Sequence, residues 1–385
     1  MLKYKSLESL RGMAALIVAL FHSGFYVGEK HIIIAQGEIF VDFFFILSGF
    51  VMACAYTDKI IGGFSIKSFI LLRFGRLYPL HLLILLVWLP YILAKAYGFH
   101  QFGMGSDPLI KSNLFTFVSS LFLVNSLGVN DNLSWNYPAW SISVEFFTYI
   151  VFFMFVSSFK SNFKVWQLMC VSVLAFSCLF ALTDHSLLST YEFGFFRCIG
   201  GFFLGSWLYH VSMKIKVLPT KTQSSLVELV VIAITIFLVL NSAVSKEFQL
   251  ASILSFGVII LLFAVQEQGI VSDLLKSKFM LMLGTFSYSI YMVHAIVFSV
   301  AGNLYQYVLK MPIKIIEGPN LEPVKYYETA YADLINLFCV AVIIGISYFT
   351  YNYVERPWRD KFRDFAKVPS GTQSLADKKV SKDVA

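Results

Sequence analysis

Charge is scarce in this chain. Only 14% of its 385 residues are Asp, Glu, Lys or Arg, against 58% hydrophobic, and a mean hydropathy of +0.72 excludes an ordinary soluble domain. Cysteine is equally thin. The five residues Cys54, Cys170, Cys178, Cys198 and Cys339 all fall in apolar stretches, with an odd total and no Cys-x-x-Cys pair. That pattern argues against a disulfide framework and a metal centre, and leaves them as small buried hydrophobes. No small-x-small cleavage site follows the first apolar run, and Arg11 interrupts it, so that run is expected to stay as a span.

Long apolar runs are what the chain does have. They lie near 11–27, 38–57, 77–97, 138–159, 164–182, 194–211, 225–242, 250–267, 283–305 and 332–354, which predicts an all-α polytopic bundle of about ten transmembrane helices. The net charge of +7 follows from their placement. With the N-terminus inside, the inner segments hold Lys3, Lys5, Lys59, Lys67, Arg73, Arg76, Lys160, Lys164 and others, then a basic tail, while the outer ones hold few lysines beside several acids. This is the positive-inside pattern, so both termini are expected in the cytoplasm and no nucleic acid is needed. Two parts follow: residues 1–355 as a transmembrane domain, and 356–385 as a basic, disordered cytoplasmic tail.

Ionisable residues inside such spans mark functional sites by default. In the first span Arg11 and His22 are eleven residues apart, hence on one helical face, about 16 Å apart along the axis. The second span carries Asp42 about 6 Å below the outer surface, then Ser48 and Gly49, small enough for close helix packing or for lining a substrate path. Arg73 and Arg76, three apart, are either topology anchors or a pair of guanidiniums matched to phosphate. The outer segment 98–137 contains one apolar stretch, Leu114 to Leu127, too short to cross and expected to be re-entrant or interfacial.

Depth brings several of these together. His22 rises to about 14 Å from the outer face and Glu145 descends to about 10 Å from it, so they are expected to meet, either as an oriented imidazole or as a neutralising helix pair. In the ninth span His294 reaches the level of His22, with Tyr288 and Tyr291 on the same face. Arg197 is expected to snorkel to the outer interface.

In order, the chain carries Leu-Glu-Ser-Leu-Arg11-Gly with His22; Val-Asp42-Phe-Phe-Phe-Ile-Leu-Ser48-Gly49-Phe; Arg73-Phe-Gly-Arg76-Leu-Tyr-Pro79; Trp140-Ser-Ile-Ser-Val-Glu145; Ser287-Tyr-Ser-Ile-Tyr291-Met-Val-His294; and Glu355-Arg356-Pro357. The ordered set resembles the acyltransferase-3 family of bacterial membrane acyltransferases, in the stand-alone form, with Glu8 where aspartate is common. The resemblance implies a multi-pass enzyme of the bacterial inner membrane that moves an acyl group, usually acetyl, from cytoplasmic acyl-CoA to a hydroxyl of surface carbohydrate, lipid-linked or free. Acetyl-CoA would be a co-substrate, with no permanently bound cofactor. On that reading Arg73 and Arg76 hold the donor phosphates, His22 acts as base with Glu145 and Arg11, and Asp42, Ser48, Tyr288, Tyr291 and His294 line the substrate path. An acyl-histidine intermediate fits the same residues. Intramembrane Arg, His, Asp and Glu would also suit a proton-coupled transporter of a lipid-linked sugar or small anion.

Overall fold

The computed structural model describes residues 4–26, 32–216, 219–317 and 323–366. Lys3 and the tail from 367 onward, expected above to be inner and basic, lie outside them. The principal helices are α1 (Lys5–Phe21), α2 (Phe40–Ile61), α3 (Ile66–Phe102), α4 (Leu114–Leu121), α5 (Trp140–Phe159) and α6 (Trp166–Leu182). They continue with α7 (Gly194–Ser212), α8 (Lys221–Leu240), α9 (Lys246–Val265), α10 (Lys278–Asn303), α11 (Ala332–Thr350) and α12 (Arg356–Phe365).

Seven helical stretches are long and apolar enough to cross a membrane: 37–61, 66–102, 137–159, 221–240, 246–265, 278–308 and 332–365. Three of the ten expected spans fall short of that test among the described residues. Helices α1 and α6 have 17 residues each, and α7 dilutes its apolar run with Arg197, Trp207, Tyr209 and His210. Large apolar side chains such as Leu93, Leu174, Leu229 and Phe338 are exposed on the outside of the bundle, as expected where the surrounding solvent is hydrocarbon.

Two helix pairs organise the interior, and glycine sets the distance in both. A Cβ on Gly12 of α1 would lie 2.5 Å from the Gly284 nitrogen of α10, and one on Gly284 would strike the Glu8 carbonyl. Likewise Gly49 of α2 meets the Phe202 backbone of α7, and Gly205 meets the Ile46 backbone. Backbones this close gain dispersion contacts that bulkier residues would forbid, the usual means of helix association where water offers no driving force. Both pairs run parallel. Moving ten residues on from Gly12 and from Gly284 reaches His22 and His294, which touch; Asp42 meets Arg197 as Phe50 meets Tyr209.

Several expectations need correcting. The tail does not begin as coil, because α12 packs its Phe362 ring against Gly75 and Phe74 of α3. Counting its charges hid the apolar edge that Trp358 and Phe362, four residues apart, present to α3. The third span begins well before residue 77: α3 runs unbroken for 37 residues through Pro79 and Pro90 and carries Arg73 and Arg76 within the helix. The apolar stretch from Leu114 becomes the short helix α4, which turns Thr116, Ser119 and Ser120 inward and leaves Leu114, Phe115 and Val118 exposed. A small sheet went unread. Strands β1 (Phe25–Tyr26), β2 (Lys314–Glu317) and β3 (Pro323–Glu328) assemble in the order β1-β3-β2, with Phe25 opposite Tyr327 in parallel and Ile315 opposite Lys325 in antiparallel pairing.

Candidate functional site

A cavity of about 760 Å³, its mouth included, lies between α1, α2, α3, α5 and α10. Its polar lining is Arg11, Ser48, Arg76, Ser141, Glu145, Tyr149, Ser287, Tyr288 and Tyr291, set among Phe44, Phe45 and aliphatic residues. A cluster of ionisable groups on an apolar, intramembrane cavity is the default site in a bundle of this kind.

On the α2–α5 wall, two hydroxyls share one carboxylate oxygen. Ser48 Oγ donates to Glu145 Oε1 at 2.5 Å, Tyr149 OH donates to the same atom at 2.6 Å, and the two hydroxyls are 3.0 Å apart. Tyr149 joins the site from four residues after Glu145, one helical turn on, and that spacing is the signal the sequence offers for it.

The arginines divide into a fixed one, a half-fixed one and a free one. Arg73 gives Nη2 to Tyr56 OH at 2.9 Å, and its guanidinium lies 5.0 Å from the Tyr56 ring centroid and 5.9 Å from that of Tyr149. It does not line the cavity. Arg11 donates to Ser287 Oγ at 2.7 Å and to the Gly284 carbonyl at 2.8 Å, with Glu8 at 3.5 Å. Arg76 faces the cavity and, among the described residues, forms no hydrogen bond or ion pair; Glu145 and Glu355 act on it only through space. Glu355, from the Glu-Arg-Pro motif, is buried and accepts from Ser289 Oγ at 3.3 Å.

The histidines lie outside this lining. His22, at the C-cap of α1, has Nδ1 2.9 Å from the Val18 carbonyl and 3.2 Å from Nε2 of the fully buried His294. A carbonyl only accepts, so in the neutral ring the His22 proton that meets Val18 is on Nδ1, where it is shared with His294. Tyr291 stands between the pair and the cavity: its ring centroid is 5.8 Å from that of His294, while its hydroxyl donates to the Pro138 carbonyl at 3.0 Å and lies 2.8 Å from Ser141 Oγ. Tyr288 lines the cavity and donates to the Leu77 carbonyl at 2.6 Å.

Two expected roles change accordingly. His22 does not pair with Glu145; equal depth fixes height, not direction, and the register of α1 on α10 turns His22 towards His294. Asp42 is not exposed to the cavity. It is fully buried and closed by Arg197, whose Nε and Nη2 reach its two oxygens at 2.7–3.1 Å, while the guanidinium also meets the Glu38 and Ser189 carbonyls and lies 5.4 Å from the Trp140 ring. Arg197 therefore does not snorkel, and the pair ties α2 to α7. Replacing Arg197 with methionine should strand a buried carboxylate and cost about 3–5 kcal/mol, whereas the double change with Asp42→Asn should recover most of it. Thermal unfolding in detergent measures this; equal losses in the single and double variants would refute the assignment.

A family model described as an acyltransferase domain, acyltransferase-3, matches residues 4–351. The chain belongs to the acyltransferase-3 family. Among curated proteins it is similar to Acyltransferase MdmB of Streptomyces mycarofaciens, 33% identical over 159 residues, which cover 38% of each chain. It is also similar to Protein 2 in picA locus of Rhizobium radiobacter, 40% identical over 88 residues, or 23% of this chain and 44% of that one. The chain thus spans less than half the length of the curated relatives it matches. No solved structure matches it. The acyltransferase-3 match runs from the start of α1 to the last residues of the α11 span, so every cavity-lining residue lies inside it.

Proposed function

We propose that this protein is an O-acyltransferase of the bacterial inner membrane that moves an acyl group, foremost acetyl, from cytoplasmic acyl-CoA to a hydroxyl of exported carbohydrate, free or lipid-linked. The observation that carries the reading is the unpartnered Arg76 guanidinium facing an intramembrane cavity that Arg11 and Glu145 also line. An always-charged planar donor left without a partner inside an apolar bundle is matched to an incoming anion, and the CoA phosphates supply one. Arg11 joins it on the inner side, and the acyl-bearing arm extends between Ser48, Tyr288 and Tyr291. Arg73 takes a supporting part, stacked where it steadies Tyr149. His22 removes the proton from the sugar hydroxyl, and His294 steadies the ring. Acyl-CoA serves as a co-substrate, and no resident cofactor is required.

Ten spans with cytoplasmic termini agree with the helix directions. The parallel pair α1 and α10 would be the first and ninth crossings, and α2 and α7 the second and sixth, so each pair must point the same way. Residues 1–355 then form the transmembrane domain, and the chain beyond emerges on the cytoplasmic side.

The test is to incubate the purified protein with acetyl-CoA and a carbohydrate acceptor and to follow free thiol. Acceptor-dependent thiol release is expected. Accumulation of the sugar inside vesicles with no thiol released would instead establish the transporter reading.

A further inference from the structure

Nothing said so far gives Ser48 a chemical part, yet its surroundings are those of an activated nucleophile. The hydroxyl opens on the cavity, donates to a carboxylate at 2.5 Å, and belongs to a triangle whose third member, Tyr149, donates to the same oxygen. Tyr149 is itself held beneath the Arg73 guanidinium, so the acceptor oxygen is oriented by a side chain that is fixed in turn. Nucleophile, base and orienting group within hydrogen-bond reach of one another form the arrangement that covalent catalysis needs. The histidine pair, by contrast, lies beyond Tyr291 and outside the lining.

We propose that Ser48 carries the acyl group, so that transfer proceeds in two steps through a Ser48 ester. This rests on the acyl-CoA reading above and deepens it. In the first step Ser48 Oγ attacks the thioester carbonyl while its proton passes to Glu145. The carbon–sulfur bond breaks, CoA leaves as the thiolate, and water at the cavity mouth protonates it. In the second step the acceptor hydroxyl attacks the Ser48 ester, and its proton passes through water, past Tyr291, to His22. Glu145 returns its proton to Ser48 Oγ as that bond breaks, and His22 releases its proton to water. The sum is one thioester and one alcohol converted to one ester and one thiol. Splitting the transfer lets donor and acceptor use the cavity in turn, so the two need not occupy it together.

The experiment is acid quenching of the full-length protein after brief exposure to acetyl-CoA without acceptor, followed by peptide mass spectrometry. One acetyl group on the peptide containing Ser48 is expected in the unmodified protein. It should build up further in His22→Ala, whose second step is blocked. Ser48→Ala should lose the adduct and lower transfer by about 10²-fold or more, while Ser48→Cys should retain an adduct at position 48 as a thioester. Normal thiol release and transfer in Ser48→Ala would overturn the proposal and leave the donor reading intact, as would release in the unmodified protein with no adduct in it or in His22→Ala. Absence of both thiol release and adduct would remove both readings.

Discussion

His22→Ala lowers acetyl transfer to the acceptor by about 10²–10⁴-fold, the full range a positioned general base contributes, and leaves acetyl-CoA affinity unchanged. The split between the two readouts follows from position. His22 sits at the end of α1, with its ring against Val18, His294 and Tyr137, and takes no part in the cavity lining where the donor is held. Insertion and folding are expected to survive, since the glycine contact that docks α1 on α10 is three turns away. Transfer assays with radiolabelled acetyl-CoA, paired with equilibrium binding of the donor, measure both quantities. Full transfer activity in the variant would remove His22 from the chemistry.

Arg76→Gln weakens acetyl-CoA binding by about 10²-fold. Losing one charge-assisted contact to phosphate in a desolvated site costs about 2–3 kcal/mol, and each 1.4 kcal/mol is tenfold in affinity. Arg73→Gln makes the instructive comparison. Its guanidinium already serves Tyr56 and stacks near Tyr149, so the same substitution should perturb turnover more than donor affinity. Isothermal titration of both variants against acetyl-CoA distinguishes them. Equal losses of affinity would return the two arginines to the shared phosphate role that their spacing first suggested, and unaltered affinity in both would make them anchors of the bundle.

Those arginines also mark how far the sequence can be read. Spacing placed Arg73 and Arg76 on one helix face, and the helix is there; spacing cannot report that Tyr56 of the neighbouring helix claims one guanidinium and spares the other. His22 and Glu145 raise the same difficulty in a different form. Rise per residue gives depth along a span, whereas partner choice depends on how each helix is rotated against its neighbours, which here is governed by Gly12 on Gly284 and Gly49 on Phe202. The Asp42–Arg197 pair was missed because each was weighed alone against the cost of burial, and together they cancel it. Ser48, Tyr288 and Tyr291 line the cavity, each on a helix face that carries another ionisable or small residue in the sequence pattern. The sheet formed by β1, β2 and β3 left no usable trace, since strands of two, four and six residues are too short to stand out by period.

The shared ten-residue stride along α1 and α10 has a mechanical meaning. Two parallel rods touching where neither bears a side chain behave like a clamp: the interval between their far ends is governed by the bite at the near one. A single methyl group introduced at Gly12 would pry the rods apart there, and the gap across which two imidazoles share a proton would open three turns away. The smallest residue in the first helix thereby acts as the spacer that tunes the imidazole at its end.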